Sequence, residues 1–308
     1  MLNRLKYLLS CFLATFAYFL VQKPVFMLCN APKSYVLTDY LEVMWHGSSL
    51  DATTAGYLTI VPFLLALVSV WYGKLPLRRI LTPYYILAML LVSMIFVGDF
   101  SLFSFWESKL DASIFIYIDS PKNAMASVST LYVVGRVLLI VVLTALMSLL
   151  LRWLTPKTLG SIGSMRSRVV STVLAVPVGA LLFVVIRGGV RVSTQNVGSA
   201  YFSNDQFLNL SAINPAFNLL ASMGQQSKYE DEFNFYDESQ RASMMQGLYP
   251  KADTDTPVLL KTRRPNVLVI LLESFGATMV DCLGGEKGVS PNLDALAREG
   301  VFFSNAYA

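Results

Sequence analysis

Glu273 closes the run Asn266–Leu272, NVLVILL. A carboxylate so placed can bind a divalent cation through oxygen when other ligands converge on it from elsewhere in the fold. It can equally be a capping or salt-bridging group. The other chemically capable side chains are isolated. Ser274 lies in LESFG, which lacks the first glycine of a G-x-S-x-G nucleophile elbow. His46, the single histidine, sits beside Trp45 in DYLEVMWHGSSLD, residues 39–51, with no Cys or His neighbour. An interfacial aromatic anchor accounts for that loop without chemistry. Cys11, Cys29 and Cys282 show neither a metal-ligand spacing nor a disulfide framework.

The elements around Glu273 would have to position it. A continuous β-branched and leucine run bounded by Pro265 predicts a strand buried on both faces of a parallel sheet. Ligands bind beyond the carboxyl ends of such strands, which is where Glu273 falls. Downstream, Ser290 and Pro291 predict a helix start, Leu293 and Leu296 an apolar face, Gly300 a helix end, and Val301–Ser304 a second short strand. Strand, loop, helix and strand in that order open a doubly wound α/β domain.

The rest of the chain is of another kind. Of its 308 residues 55% are hydrophobic and 14% charged, which points away from a soluble globular composition and toward a membrane protein. Five apolar runs, Leu5–Leu28, Thr53–Tyr72, Ile80–Val97, Leu131–Leu151 and Val169–Ile186, each approach the roughly 20 residues that cross a hydrocarbon core. The first is read as an uncleaved helix, since it has no clear small-x-small cleavage site. Pro62 and Pro177 lie inside runs and predict kinks rather than breaks.

Arg4 and Lys6, then Lys74, Arg78 and Arg79, then Arg152, Lys157, Arg166 and Arg168 fall on one side of these runs, without any Asp or Glu. The opposite loops carry Asp39, Glu42, Asp51, Asp99, Glu107, Asp111 and Asp119. Cationic loops are retained in the cytoplasm. The expectation is a multi-pass protein of the cytoplasmic membrane with a cytoplasmic N-terminus and everything beyond Arg187 outside. The net charge of +4 is then largely topological and implies no nucleic acid. Arg136, a charge inside the fourth run, either contacts a lipid phosphate or snorkels to the interface.

Between membrane block and strand lies a connector. Residues 187–223 are too rich in Gly, Asn and Ser for another span. Phe207, Leu208, Leu210, Ile213, Phe217, Leu219 and Leu220 predict an apolar face on short helices interrupted at Pro215, lying along the membrane or packed on the outer domain. Residues 228–240, KYEDEFNFYDESQ, read as a solvated acidic face, and 249–265 as a linker. The organisation expected is a five-helix transmembrane domain over 1–187, an extracytoplasmic connector with juxtamembrane helices over 188–262, and the start of an α/β domain over 263–308.

RPNVLVILLESFG followed by SPNLDALAREGVFFSNAYA resembles the N-terminal signature of the alkaline phosphatase and sulfatase superfamily. The resemblance covers about the last 45 residues. It implies an alkaline-phosphatase-like α/β fold and metal-activated hydroxyl nucleophiles acting on sulfate or phosphate esters. Soluble sulfatases end this strand on a pair of aspartates, whereas Glu273 is followed here by Ser274. That departure resembles the lipoteichoic acid synthase-like branch, in which the corresponding Glu binds one manganese or magnesium ion and five membrane helices precede an outward-facing catalytic domain. By resemblance Glu273 is the metal ligand. The implied nucleophile, a threonine, and the remaining ligands are expected after Ala308, so the chain is expected to stop before its nucleophile.

The implied activity is transfer of a phosphoglycerol-type headgroup from a lipid donor such as phosphatidylglycerol to an envelope glycan or lipid acceptor, through a covalent phospho-threonine. Holding the domain at the membrane raises the effective concentration of such a donor. A membrane-bound sulfatase is the alternative within the superfamily, and a non-catalytic membrane block the alternative outside it. Cys282, in DCLGG, lacks the proline and arginine setting of a sulfatase's modified cysteine. The 308-residue chain by itself is expected to be inactive.

Overall fold

The computed structural model describes residues 1–115, 128–160, 162–190, 192–232, 235–248, 262, 264–273 and 275–303. Asp119, Ser274, Ser304 and the expected linker from Tyr249 to Lys261 lie outside the described residues. The chain divides into two compact units, Met1–Phe235 and Tyr236–Ala308.

Among the described residues five helices of the first unit are long and apolar enough to cross a membrane: α1 (Leu2–Asn30), α2 (Leu37–Trp71), α3 (Leu77–Trp106), α4 (Thr130–Leu154) and α5 (Met165–Arg187). They contain the five apolar runs almost entirely, and the chain is helical through Pro62 and Pro177. In lipid this is the solution that satisfies every backbone polar group within one segment. Ser129 and Ser164 cap α4 and α5, their hydroxyls accepting from the amides of Tyr132 (3.3 Å) and Ser167 (3.2 Å). Helix α1 packs on α2, α2 on α5, and α3 on α4. Large side chains of α4 and α5 such as Leu138, Leu149, Val173 and Leu181 point outward, as spans bordering lipid require.

Helix α2 departs from the sequence expectation. Residues 39–51, read as a loop, are helical, and α2 has 35 residues. At 1.5 Å per residue it is about 52 Å long, well beyond a hydrocarbon core of about 30 Å. Asp39 starts it by accepting the Val36 amide at 2.9 Å, an anion in the first turn where the helix dipole favours one. Val43 and Leu50 are then fully buried, so this extension has a packed face of its own.

What they pack against is the connector. After a 3-10 turn at Val197–Ala200 come α6 (Gln206–Ala212) and α7 (Pro215–Glu232), with Pro215 at the first helical position, where its missing N–H costs nothing. Phe207, Leu208 and Ile213 form one core with Phe26, Met27, Val43, Leu50, Phe96 and Phe103. The apolar face read from the sequence is therefore real. Phe207, Leu208, Ile213 and Leu219 of that face are buried within their own unit, while Leu220 is exposed.

The second unit contains α8 (Glu238–Leu248), 3-10 turns at Ala277–Met279 and Asp281–Leu283, and α9 (Pro291–Glu299). Helix α9 begins after Ser290 with Pro291 at its start, as the sequence predicts, and Gly300 ends it in an extended conformation. No strand occurs among the described residues, so the α/β expectation is not met in the regions 266–272 and 301–303. A strand exists only as part of a ladder, and these segments have no partner strand among the described residues. Val267, Leu268, Val269, Ile270 and Leu271 are more than two-thirds exposed.

Candidate functional site

Glu273 sits in a turn at the end of the exposed run, and is itself exposed. The chain then folds back on itself: the Gly285 amide donates to the carbonyl of Val280 (2.9 Å) and the Glu286 amide to that of Thr278 (2.9 Å). Asp294 of α9 is buried and accepts the Cys282 amide at 3.0 Å, tying the helix to this loop. Ser290 is also buried, and its hydroxyl has no hydrogen-bond partner among the described residues. These bonds order the segment downstream of Glu273. Among the described residues no three His, Cys, Asp or Glu side chains converge, at Glu273 or elsewhere. The residues present therefore do not fit a complete metal centre, which needs several oxygen or nitrogen donors. Glu273 offers one carboxylate.

His46 is accounted for by packing: its ring stacks on Phe202 with centroids 4.4 Å apart and planes within 3°. Arg136 has protein partners of its own. Its guanidinium lies between aromatic faces, 4.7 Å from Phe100 and 4.6 Å from Tyr132, and donates to the Tyr132 hydroxyl at 3.3 Å, a cation–π setting.

The sequence reading passes over a buried polar layer at the end of the bundle where α1 finishes. Lys23 and Asp51 pair at 2.5 Å, and Asn214 donates to Asp51 at 2.9 Å. Asn214 also accepts the Phe217 amide at 3.0 Å and so caps α7. Beside them Lys109 pairs with Asp99, which accepts the Leu110 amide as well (2.9 Å), and the Lys109 ammonium lies 3.8 Å from the Phe26 ring centre. The Asn218 amide group donates to the Leu110 carbonyl at 2.9 Å. Burial pushes the Lys109 ammonium down and the Asp99 carboxylate pulls it back up. The signal for Lys23 was available, since it falls inside the run Leu5–Leu28, and charges within a span are expensive unless paired. Its partner was not legible, because Asp51 reads as a loop residue.

A second, exposed link closes the same end. Lys33 pairs with Asp205 at 2.8 Å, and Asp205 accepts the Tyr35 hydroxyl (3.1 Å) and the Phe207 amide (3.0 Å) at the start of α6. The hydrogen bond from Lys33 leads in holding the Asp205 carboxyl below its ordinary range. Partial burial and the Asp205 carboxylate push the Tyr35 hydroxyl up to about 12. At the opposite end Arg4 is buried and donates to the carbonyls of Ser69 (2.8 Å) and Gly160 (2.9 Å), joining the start of α1 to the end of α2.

Comparison with known proteins bears on the second unit. Residues 265–308 match the family model for Sulfatase. A curated relative, the N-acetylglucosamine-6-O-sulfatase of Bacteroides thetaiotaomicron, is 33% identical over 57 residues, covering 18% of this chain and 10% of that protein. The match thus spans about a tenth of the relative's length. No solved structure matches the chain. Residues 265–308 are thus similar to the Sulfatase family, and Glu273 lies within the matched segment.

Proposed function

We propose that this chain is the membrane-embedded part, with the first elements of the catalytic domain, of a sulfatase-family phosphotransferase that moves a phosphoglycerol-type headgroup from a lipid such as phosphatidylglycerol to an envelope acceptor. The observation that carries the reading is the union, in one chain, of five span-forming helices with a sulfatase-family segment. A soluble ester substrate does not require five spans; a lipid donor, confined to the membrane, gains effective concentration from an enzyme held there. The single Glu273, followed by Ser274 where soluble sulfatases have an aspartate pair, favours phosphoryl over sulfuryl chemistry. In this reading Glu273 supplies one ligand of a divalent ion, Mn or Mg, the remaining ligands coming from outside the described residues. The sulfatase segment lies outside the cytoplasm, because the loops on the N-terminal side hold the cations.

A second reading, a membrane-bound sulfuric ester hydrolase, is favoured by the matched relative, whose name gives it 6-O-sulfatase activity. The test is Glu273→Ala in the full-length enzyme, assayed for glycerol phosphate transfer from phosphatidylglycerol and for sulfate release from sulfated N-acetylglucosamine. Loss of transfer by at least a hundredfold with an unchanged melting temperature is expected, since Glu273 is exposed. Retained transfer would remove Glu273 from the site, and sulfate release without transfer by the unsubstituted enzyme would establish the second reading.

A further inference from the structure

The helical unit contains a groove of about 830 Å³ between α2, α3, α5 and α7. It exists because α5 packs on α2 and α4 on α3, which leaves the space between α3 and α5 open. Its walls are apolar, formed by Leu58, Leu87, Leu91, Val92, Phe183 and Phe217. Toward the end where α3 begins, Tyr84 lines it and donates its hydroxyl to the Leu58 carbonyl at 2.8 Å, bridging α3 and α2. Toward the end where α5 finishes, the lining turns polar with Arg187, Thr194 and Gln195. Arg187 donates to the carbonyls of Gly189 (3.1 Å) and Val192 (3.2 Å), which hold its guanidinium over the end of the helix.

We propose that this groove holds an acyl chain of one anionic phospholipid, with the lipid phosphate beside Arg187. Three features commit it to that occupant. Leu87 and Leu91 are 60% and 51% exposed on a span, so the groove is entered sideways from hydrocarbon rather than from water. The stretch of α3 that lines it, Tyr84 to Ile95, rises about 16 Å at 1.5 Å per residue, close to one leaflet of a hydrocarbon core about 30 Å thick. The cation at the end of α5 complements a phosphate by charge at the depth where a headgroup begins. The site does not rest on the headgroup-transfer reading: retention is measured without turnover, so either idea can fail while the other stands.

The test uses the whole chain in detergent micelles and native mass spectrometry, with phosphatidylglycerol and phosphatidylcholine of matched acyl chains. The unsubstituted protein is expected to retain one phosphatidylglycerol in preference to phosphatidylcholine. Arg187→Gln should reduce that preference about fivefold, the effect of roughly one cation near a membrane surface, and Arg187→Lys should keep most of it. Leu91→Trp, which fills the groove from its exposed wall, should lower retention of both lipids; melting temperatures confirm that each variant is folded. Equal retention of the two lipids by the unsubstituted protein, or phosphatidylglycerol held as well by Arg187→Gln or Leu91→Trp, would overturn the site. Displacement of the lipid by millimolar glycerol phosphate would also overturn it, by showing that the headgroup alone is recognised.

Discussion

Replacing Gly47 with alanine should destabilise the helical unit, although the same change in an open helix stabilises by about 1 kcal/mol. A Cβ built on Gly47 lies 2.1 Å from the Ala212 carbonyl oxygen and 2.1 Å from Cε of Lys23. Each atom must retreat to about 3.4 Å, the onset of ordinary contact. Neither does so freely: Ala212 is backbone at the end of α6, and Lys23 is held by Asp51. Moving the end of α6 carries Asn214 away from Asp51, a buried bond of 2.9 Å. Overpacking costs about 1–3 kcal/mol, and leaving a buried polar group unpaired about 1–3 kcal/mol more. Set against the propensity gain, the net loss is roughly 1–5 kcal/mol. Thermal unfolding of the purified chain in detergent, followed by circular dichroism, measures it. Gly135→Ala is the control, because nothing lies within 4 Å of a Cβ there, and it should leave the melting temperature equal or higher. A Gly47→Ala protein as stable as its parent would refute the close docking of α6 on α2.

Two further predictions concern the charged links at the same end. Lys109→Met should cost about 3–5 kcal/mol, because it strands a buried Asp99, whereas the double substitution Lys109→Met with Asp99→Leu should recover most of that loss in the same unfolding measurement. Asp205 titrates below its ordinary range in the folded chain, so its carboxylate contributes stability above the ordinary carboxylate pKa that is lost as pH falls through the lowered, folded-state value. Unfolding followed from neutral pH into the acid range should show that loss, and Asp205→Asn should flatten it; an unchanged profile would mean the Lys33 and Phe207 contacts are energetically idle.

The spans, the short helices of the connector and α9 were determined by the sequence. A long apolar run in lipid has one solution, a helix that bonds its own backbone, and Ser290 with Pro291 marks a helix start through local chemistry alone. The sulfatase-like signature was legible for a similar reason, being carried by residues close together in the chain. What pairs with what was decided only by tertiary structure. Lys23 finds Asp51, and Asp51 finds Asn214 163 residues further on, because α2 extends well beyond its apolar run and α6 and α7 dock beside it. Arg136 is held by Phe100 because α3 and α4 pack face to face. Both depend on which helix faces meet, and no local pattern encodes that. The run Asn266–Leu272 shows the converse limit: its composition states a preference for a strand, but only neighbouring strands supply the hydrogen bonds that make it one.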